Sequence, residues 1–149
     1  MKVLIVYGST TGNTAGIAEA LGEQIGAAGH EVVVKNAADV TAEGLCDGYD
    51  AVLFGCSAWG TDEVELQDDF NTLFEEFDSI GAKGKKFACF ASGDSSFEHF
   101  CGAVDVMEDR LSSLGAVMME EGLKVEGDCS GSRDDVEAWG SRIIADLQG

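Results

Sequence analysis

Proline is absent from the 149-residue chain, and positively charged side chains are scarce. Lysine and arginine together number 9 against 28 aspartates and glutamates, so the formal net charge is −19. Such a charge repels nucleic acid and anionic membrane surfaces, and we expect neither as a partner. No apolar run approaches the ~20 residues of a membrane-spanning helix, and the short run after Met1 is unlike a secretory signal.

The cysteines form no pattern that is typical of a metal site or a disulfide framework. Their number is odd, and no two form a C-x-x-C pair: Cys46, Cys56, Cys89, Cys101 and Cys129. Cys56 and Cys89 lie in or beside apolar runs, where we expect buried thiols. These features favour a reducing cytoplasm. The length suits a single domain over residues 1–149.

Short apolar runs alternate with stretches of helical periodicity. The runs predict strands at Lys2–Tyr7, Glu31–Asn36, Asp50–Gly55, Lys86–Ser92 and Ala116–Glu120. The periodic stretches predict helices over 14–28, 67–79, 104–114 and 136–147, with a short helical turn at 41–46. Gly29 and Gly115 stand where C-terminal caps are expected. The alternation predicts an α/β fold: a doubly wound, five-stranded parallel sheet with helices on both faces.

The segment YGSTTGNT, Tyr7 to Thr14, joins the first predicted strand to the first predicted helix. A helix start offers free N–H groups and a partial positive charge, which suits phosphate. Asn13 stands where a Walker A loop needs lysine, and neither G-x-G-x-x-G nor a Cys-to-Arg phosphatase loop is present. The alternative is a Ser/Thr-rich turn that only caps the helix. The predicted phosphate-binding residues are Ser9, Thr10, Thr11, Gly12, Asn13 and Thr14.

Three segments together resemble the flavodoxin family: GSTTGNT, GCSAWG (Gly55–Gly60) and ASGDSSFEHFCGA (Ala91–Ala103). The resemblance extends over essentially the whole chain, and the lack of a long insertion near 114–122 resembles the short-chain type. It implies the flavodoxin-like strand order 2-1-3-4-5 and non-covalent binding of flavin mononucleotide (FMN). It also implies a low-potential single-electron carrier with no substrate chemistry of its own.

The same resemblance implies which residues contact the flavin. Trp59 and Phe97 supply stacking faces, and Phe97 stands where many short-chain flavodoxins carry tyrosine. The Gly60 peptide is implied to turn over when the flavin gains one electron, so that its carbonyl accepts a hydrogen bond from the ring. His99 is expected at an edge or on the surface. The remaining expected contacts are Ser57, Ala58, Thr61, Ser92, Gly93, Asp94, Phe100 and Cys101.

Acidic residues surround the second of these segments. No lysine or arginine occurs between Asn36 and Ala82, whereas Asp62, Glu63 and Glu65 follow Trp59 closely. Fully reduced flavin is an anion in this family, so nearby carboxylates predict a difficult second reduction. We expect transient redox partners with basic surfaces, and a monomer. An FMN-dependent quinone or NAD(P)H oxidoreductase on the same fold is the alternative. A signalling receiver domain is not favoured, because VLFGCS carries no acceptor aspartate.

Overall fold

The computed structural model describes residues 2–8, 13–40, 43–45, 48–59, 65–66, 75–81, 83–93, 102–118, 122–126 and 133–148. The strands are β1 (Lys2–Gly8), β2 (Glu31–Asn36), β3 (Ala51–Trp59), β4 (Glu65–Leu66), β5 (Lys86–Gly93), β6 (Val117–Met118) and β7 (Leu123–Glu126). The helices are α1 (Asn13–Ala27), α2 (Gly102–Ser113) and α3 (Arg133–Gln148). Short 3₁₀ turns lie at Ala37–Asp39 and Phe77–Ser79.

The sheet has the predicted strand order. It begins at β2 and continues through β1, β3 and β5, and both β6 and β7 pair with β5. If β6 and β7 count as one interrupted strand, the parallel sheet reads 2-1-3-4-5. The exception to parallel pairing is the short β4, which runs antiparallel to the end of β3 and was not predicted.

Alternate side chains of each central strand enter opposite cores, which explains the near-continuous apolar runs. On one face, Val3, Leu53 and Phe90 pack with the apolar stripes of α1 and α3. On the other, an aromatic core forms around Phe54, whose ring lies 5.1 Å from Phe77 and 5.4 Å from Phe87 between centroids. Residues of α2 cover this second face. The doubly wound architecture is therefore confirmed.

The predicted strand bounds agree with the structure at four positions, and the fifth predicted strand lies partly outside the described residues. Glu31–Asn36 is reproduced in full, and β1, β3 and β5 extend beyond the predicted carboxyl ends. Within the predicted strand Ala116–Glu120, Val117–Met118 form β6, and residues 119–120 lie outside the described residues. A further segment, β7, follows at Leu123–Glu126 and also pairs with β5.

The helix predictions hold within one or two residues for α1 and α2, whereas α3 begins at Arg133, three residues before the predicted start. Gly29 and Gly115 follow α1 and α2 with φ of +99° and +90°, as the predicted caps require. Most of the predicted helix 67–79 lies outside the described residues, and its end forms the 3₁₀ turn at Phe77–Ser79. Of the predicted turn at 41–46, the structure describes residues 43–45, which form a turn.

Candidate functional site

The carboxyl edge of the sheet has a step between β1 and β3. Gly8, the last residue of β1, lies beside Cys56, and β3 continues for three further residues to Trp59. A strand rises ~3.3 Å per residue, so the step is about 10 Å high. Because β1 connects to β2 on one side while β3 begins the other half of the sheet, the step lies at the topological switch point. Ligands of doubly wound proteins bind at this point.

Helix α1 begins beside the lower level of the step. Its first residue, Asn13, follows Gly8 after a connection of four residues. The free N–H groups of the first turn therefore lie at the carboxyl edge, where they favour an anion. This placement is the one that the sequence predicts for a phosphate-binding loop.

The upper level is formed by the ends of β3 and β5. Ser57 pairs with Ser92, and Gly93 pairs with Glu126 of β7. Trp59 pairs with Glu65 of β4, so the hairpin encloses the connection 60–64 between its two strands. Two of the three segments that carry the family resemblance thus leave the sheet from adjacent strands, and the third begins at the foot of the step.

An aromatic contact that the sequence did not predict closes the base of the step. Gly55 lies beside Tyr7 of β1 and Phe90 of β5, and the Phe90 ring extends across the glycine. A Cβ atom at Gly55 would overlap this ring. Trp139 of α3 supports Phe90 edge to face, at 6.1 Å between centroids. The available signal was a glycine inside an apolar strand, which often marks a close approach.

Cys89 is the buried thiol that the sequence predicts. Burial, and to a lesser degree the charge of Glu108, raise the pKa of the Cys89 thiol well above its usual range. The thiol therefore stays protonated at neutral pH and is a core side chain, not a nucleophile. The side chain of Cys56 lies outside the described part of the structure, so its predicted burial stays a prediction.

The structure places the backbone of seven of the predicted cofactor-binding residues at or next to the carboxyl edge: Asn13, Thr14, Ser57, Ala58, Trp59, Ser92 and Gly93. The other ten lie outside the described residues: Ser9, Thr10, Thr11, Gly12, Gly60, Thr61, Asp94, Phe97, Phe100 and Cys101. His99 lies outside them as well.

Neither a metal site nor a membrane span is found in the part of the chain that is described. No group of three or more His, Cys, Asp or Glu side chains there could hold a metal ion. No helix there combines the length and the apolar character needed to cross a bilayer.

The donor chemistry of the edge fits a phosphorylated cofactor. The N–H groups at the start of α1 can donate to phosphate oxygens, and the sequence of the connection before it adds hydroxyl donors. Fold and edge together define a doubly wound α/β protein whose switch point offers the place for such a ligand.

Comparison with known proteins narrows this class. The flavodoxin family model matches residues 5–139. The chain is 57% identical to a flavodoxin of Nitratidesulfovibrio vulgaris strain Miyazaki F over 98% of this chain and 99% of that protein. It is 49% identical to a flavodoxin of Maridesulfovibrio salexigens, over 95% of this chain and 96% of that one. The crystal structure of oxidised flavodoxin 2 from Bacillus cereus superposes with a TM-score of 0.88 at 33% identity, covering 99% of each chain.

The chain belongs to the flavodoxin family and is of the short-chain type. It binds FMN and carries electrons between other proteins, and it has no substrate chemistry of its own. FMN supplies the redox chemistry when bound, and the protein binds, orients and tunes it. The alternative of a quinone or NAD(P)H oxidoreductase is not favoured.

Proposed function

We propose that the protein is a low-potential, single-electron carrier whose FMN lies across the step of the sheet edge, with phosphate at the foot and ring at the top. The observation that carries this proposal is the step itself, since α1 begins at the lower level and β3 and β5 end at the upper one. An elongated ligand with an anionic end and a flat end matches these two levels.

The phosphate is held without a cationic side chain. The hydroxyls of Ser9, Thr10, Thr11 and Thr14, the Asn13 amide and the backbone at Gly12 donate to its oxygens, together with the N–H groups of α1. Hydrogen bonds to charged groups contribute ~1.5–3 kcal/mol each, so several can replace an ion pair. In a chain of net charge −19, directed donors are the means of holding a dianion.

The ring is held between Trp59 and Phe97, and its edges contact backbone groups. Aromatic faces contribute ~0.5–1.5 kcal/mol beyond the area they bury. The contacts to the ring edge beside β3 come from Ser57, Ala58, Gly60 and Thr61. The contacts to the ring edge beside β5 come from Ser92, Gly93, Asp94, Phe100 and Cys101.

The low potential has an electrostatic cause. Asp62 and Glu63 lie in the connection that the β3–β4 hairpin encloses, and this connection leaves the sheet directly after Trp59. Their carboxylates repel negative charge on the bound cofactor. A binding site that contains little water screens this repulsion weakly.

The same acidic character selects the partners. We infer transient complexes with redox proteins that present basic surfaces, formed by a single-domain monomer in the cytoplasm. Among the described residues, the exposed large hydrophobic side chains are Val34 and Val117, which lie on different strands and form no broad apolar patch for a permanent interface. Electron transfer to a basic c-type cytochrome should slow as ionic strength rises. A rate that is independent of salt would contradict the steering.

The test of the proposal is a titration of the apoprotein with FMN and with riboflavin, followed by flavin fluorescence. Wild type should quench both and should bind FMN more tightly, because riboflavin lacks the phosphate. Trp59→Ala and Phe97→Ala should weaken both ligands by about tenfold, and His99→Ala should weaken neither. If His99→Ala weakens binding and Phe97→Ala does not, the second stacking face is assigned to the wrong residue. Equal affinity of wild type for both flavins would overturn the phosphate site.

A further inference from the structure

The carboxamide of Gln24 joins α1 to α3. Its Nε2 donates to the main-chain oxygen of Glu137 at 2.8 Å and to Oγ of Ser141 at 3.2 Å. Both acceptors belong to α3, more than a hundred positions away in sequence. Gln24 is therefore a polar contact between two helices whose buried apolar side chains share one core.

Gly140 makes room for this contact. A Cβ atom at Gly140 would overlap the carboxamide of Gln24, so any larger residue at this position would displace the side chain. The buried Gly140 lies between the two acceptors along α3. The carboxamide thus occupies a recess that the glycine leaves open.

The axial position of α1 depends on hydrogen bonds as well as on apolar packing. Ile17, Leu21 and Ile25 hold one side of the helix against the sheet, and burial of this kind is non-directional. A Cβ atom added at Gly22 would lie 2.9 Å from Val34 Cγ2, so the glycine allows α1 to pack close to β2. Hydrogen bonds require defined distances and angles, so the Gln24 contact resists sliding of α1.

The position of α1 matters at its other end. Asn13 lies 11 residues before Gln24, about 16 Å along a helix, which transmits an axial displacement rigidly. The donors proposed for the phosphate lie at or just before this end. The attraction of a cation falls off slowly with distance, whereas a hydrogen bond requires a defined geometry. Because no cation is present, the affinity for phosphate depends on the geometry of the donors.

We propose that Gln24 is a positioning residue for the FMN phosphate: by tying α1 to α3 over Gly140, it sets the axial position of the helix start that holds the phosphate. This inference rests on the proposed function, because it assumes that the phosphate lies at the start of α1. Gln24 itself does not touch the cofactor.

The experiment measures the ratio of riboflavin to FMN dissociation constants for the apoprotein. Gln24→Met removes the two hydrogen bonds and keeps side-chain length and helix propensity. Gly140→Ala displaces the same carboxamide from the other helix. Both variants should lower the ratio by about tenfold through weaker FMN binding, with riboflavin affinity unchanged. A merely structural role would lower the unfolding midpoint and leave the ratio as in wild type.

Gly26→Ala is the matched control. Gly26 is an exposed glycine of α1, and its Cβ position has no atom within 4 Å. This variant should keep the wild-type ratio and raise the unfolding midpoint, since alanine favours helix. A wild-type ratio in Gln24→Met overturns the positioning role and leaves the proposed phosphate site intact. A ratio near one in wild type itself overturns both proposals.

Discussion

The amino edge and the carboxyl edge of the sheet differ in their polar contacts and in how the strands end. At the amino edge, charged side chains form hydrogen bonds with backbone groups. The Lys2 N–H donates to Asp50 Oδ2, and the Asp50 N–H donates to the Lys2 carbonyl, both at 2.8 Å. Lys85 Nζ donates to the Tyr49 carbonyl at 2.9 Å, and Lys2 Nζ lies 5.1 Å from the centre of the Tyr49 ring. At the carboxyl edge, the strands end at different heights and lead into hydroxyl-rich and acidic connections.

This difference separates stability from ligand binding. At the amino edge, Lys2, Asp50 and Lys85 have partners within the protein, whereas at the carboxyl edge the proposed function assigns the donors to a ligand. The core between them supports both. Substitutions in the core and at the amino edge should therefore change the free energy of unfolding with little effect on FMN, and those at the carboxyl edge should do the reverse.

The largest expected effect is that of removing the centre of the aromatic core. Phe54→Ala should lower the free energy of unfolding of the apoprotein by about 3–5 kcal/mol, because the fully buried ring contacts both Phe77 and Phe87. Denaturant unfolding with and without FMN measures it. The stabilisation added by FMN should equal that of wild type, since it depends on ligand affinity. Loss of that increment would show that core and carboxyl edge are not separable.

The next effect depends on pH and concerns Cys89. The raised pKa of its thiol means that the native state keeps a proton that the unfolded state loses above about pH 8.5. The contribution to stability is thus complete below that pH. It declines at higher pH, by up to about 1.4 kcal/mol per pH unit. The free energy of unfolding of wild type should therefore fall more steeply between pH 8.5 and 10 than that of Cys89→Ala. Parallel curves for the two proteins would contradict the buried, protonated thiol.

A smaller effect is expected at the amino edge. Asp50→Ala removes the acceptor for the Lys2 N–H and should lower the free energy of unfolding by about 0.5–1.5 kcal/mol. Asp50→Asn, the matched control, keeps an oxygen acceptor and should lose less. FMN affinity should be unchanged in both variants. A changed affinity in Asp50→Ala would mean that the two edges are coupled through β1 and β3.

The contrast between the edges also explains what could be predicted from sequence. Strands such as Glu31–Asn36 and the order of the sheet follow from apolar runs, because burial on both faces leaves a strong signal. The segment β7 was not predicted, since Glu120 and Glu121 end the apolar run before Leu123, which pairs with Phe90. The Gly55–Phe90 contact escaped because it joins positions 35 residues apart on neighbouring strands. The phosphate-binding loop was predicted from its hydroxyls and the helix start, and the other two site segments were identified by family resemblance. Helical or strand periodicity carries no information about which hydroxyl faces a ligand.

The smallest expected effect tests the acidic connection at the carboxyl edge. Asp62→Asn with Glu63→Gln should raise the potential of the second one-electron reduction of the bound FMN by roughly 20–40 mV at low salt, because two like charges no longer oppose negative charge on the cofactor. Glu75→Gln with Glu76→Gln is the matched control, since these exposed residues change the net charge equally but are not part of the β3–β4 connection. Redox titration of both double variants at low and high salt shows how the potential depends on the position of the removed charges and on screening by salt. Equal shifts in the two variants would mean that net charge alone sets the potential. A shift confined to the Asp62 and Glu63 pair, and reduced by salt, would mean that the carboxyl edge tunes its cofactor locally.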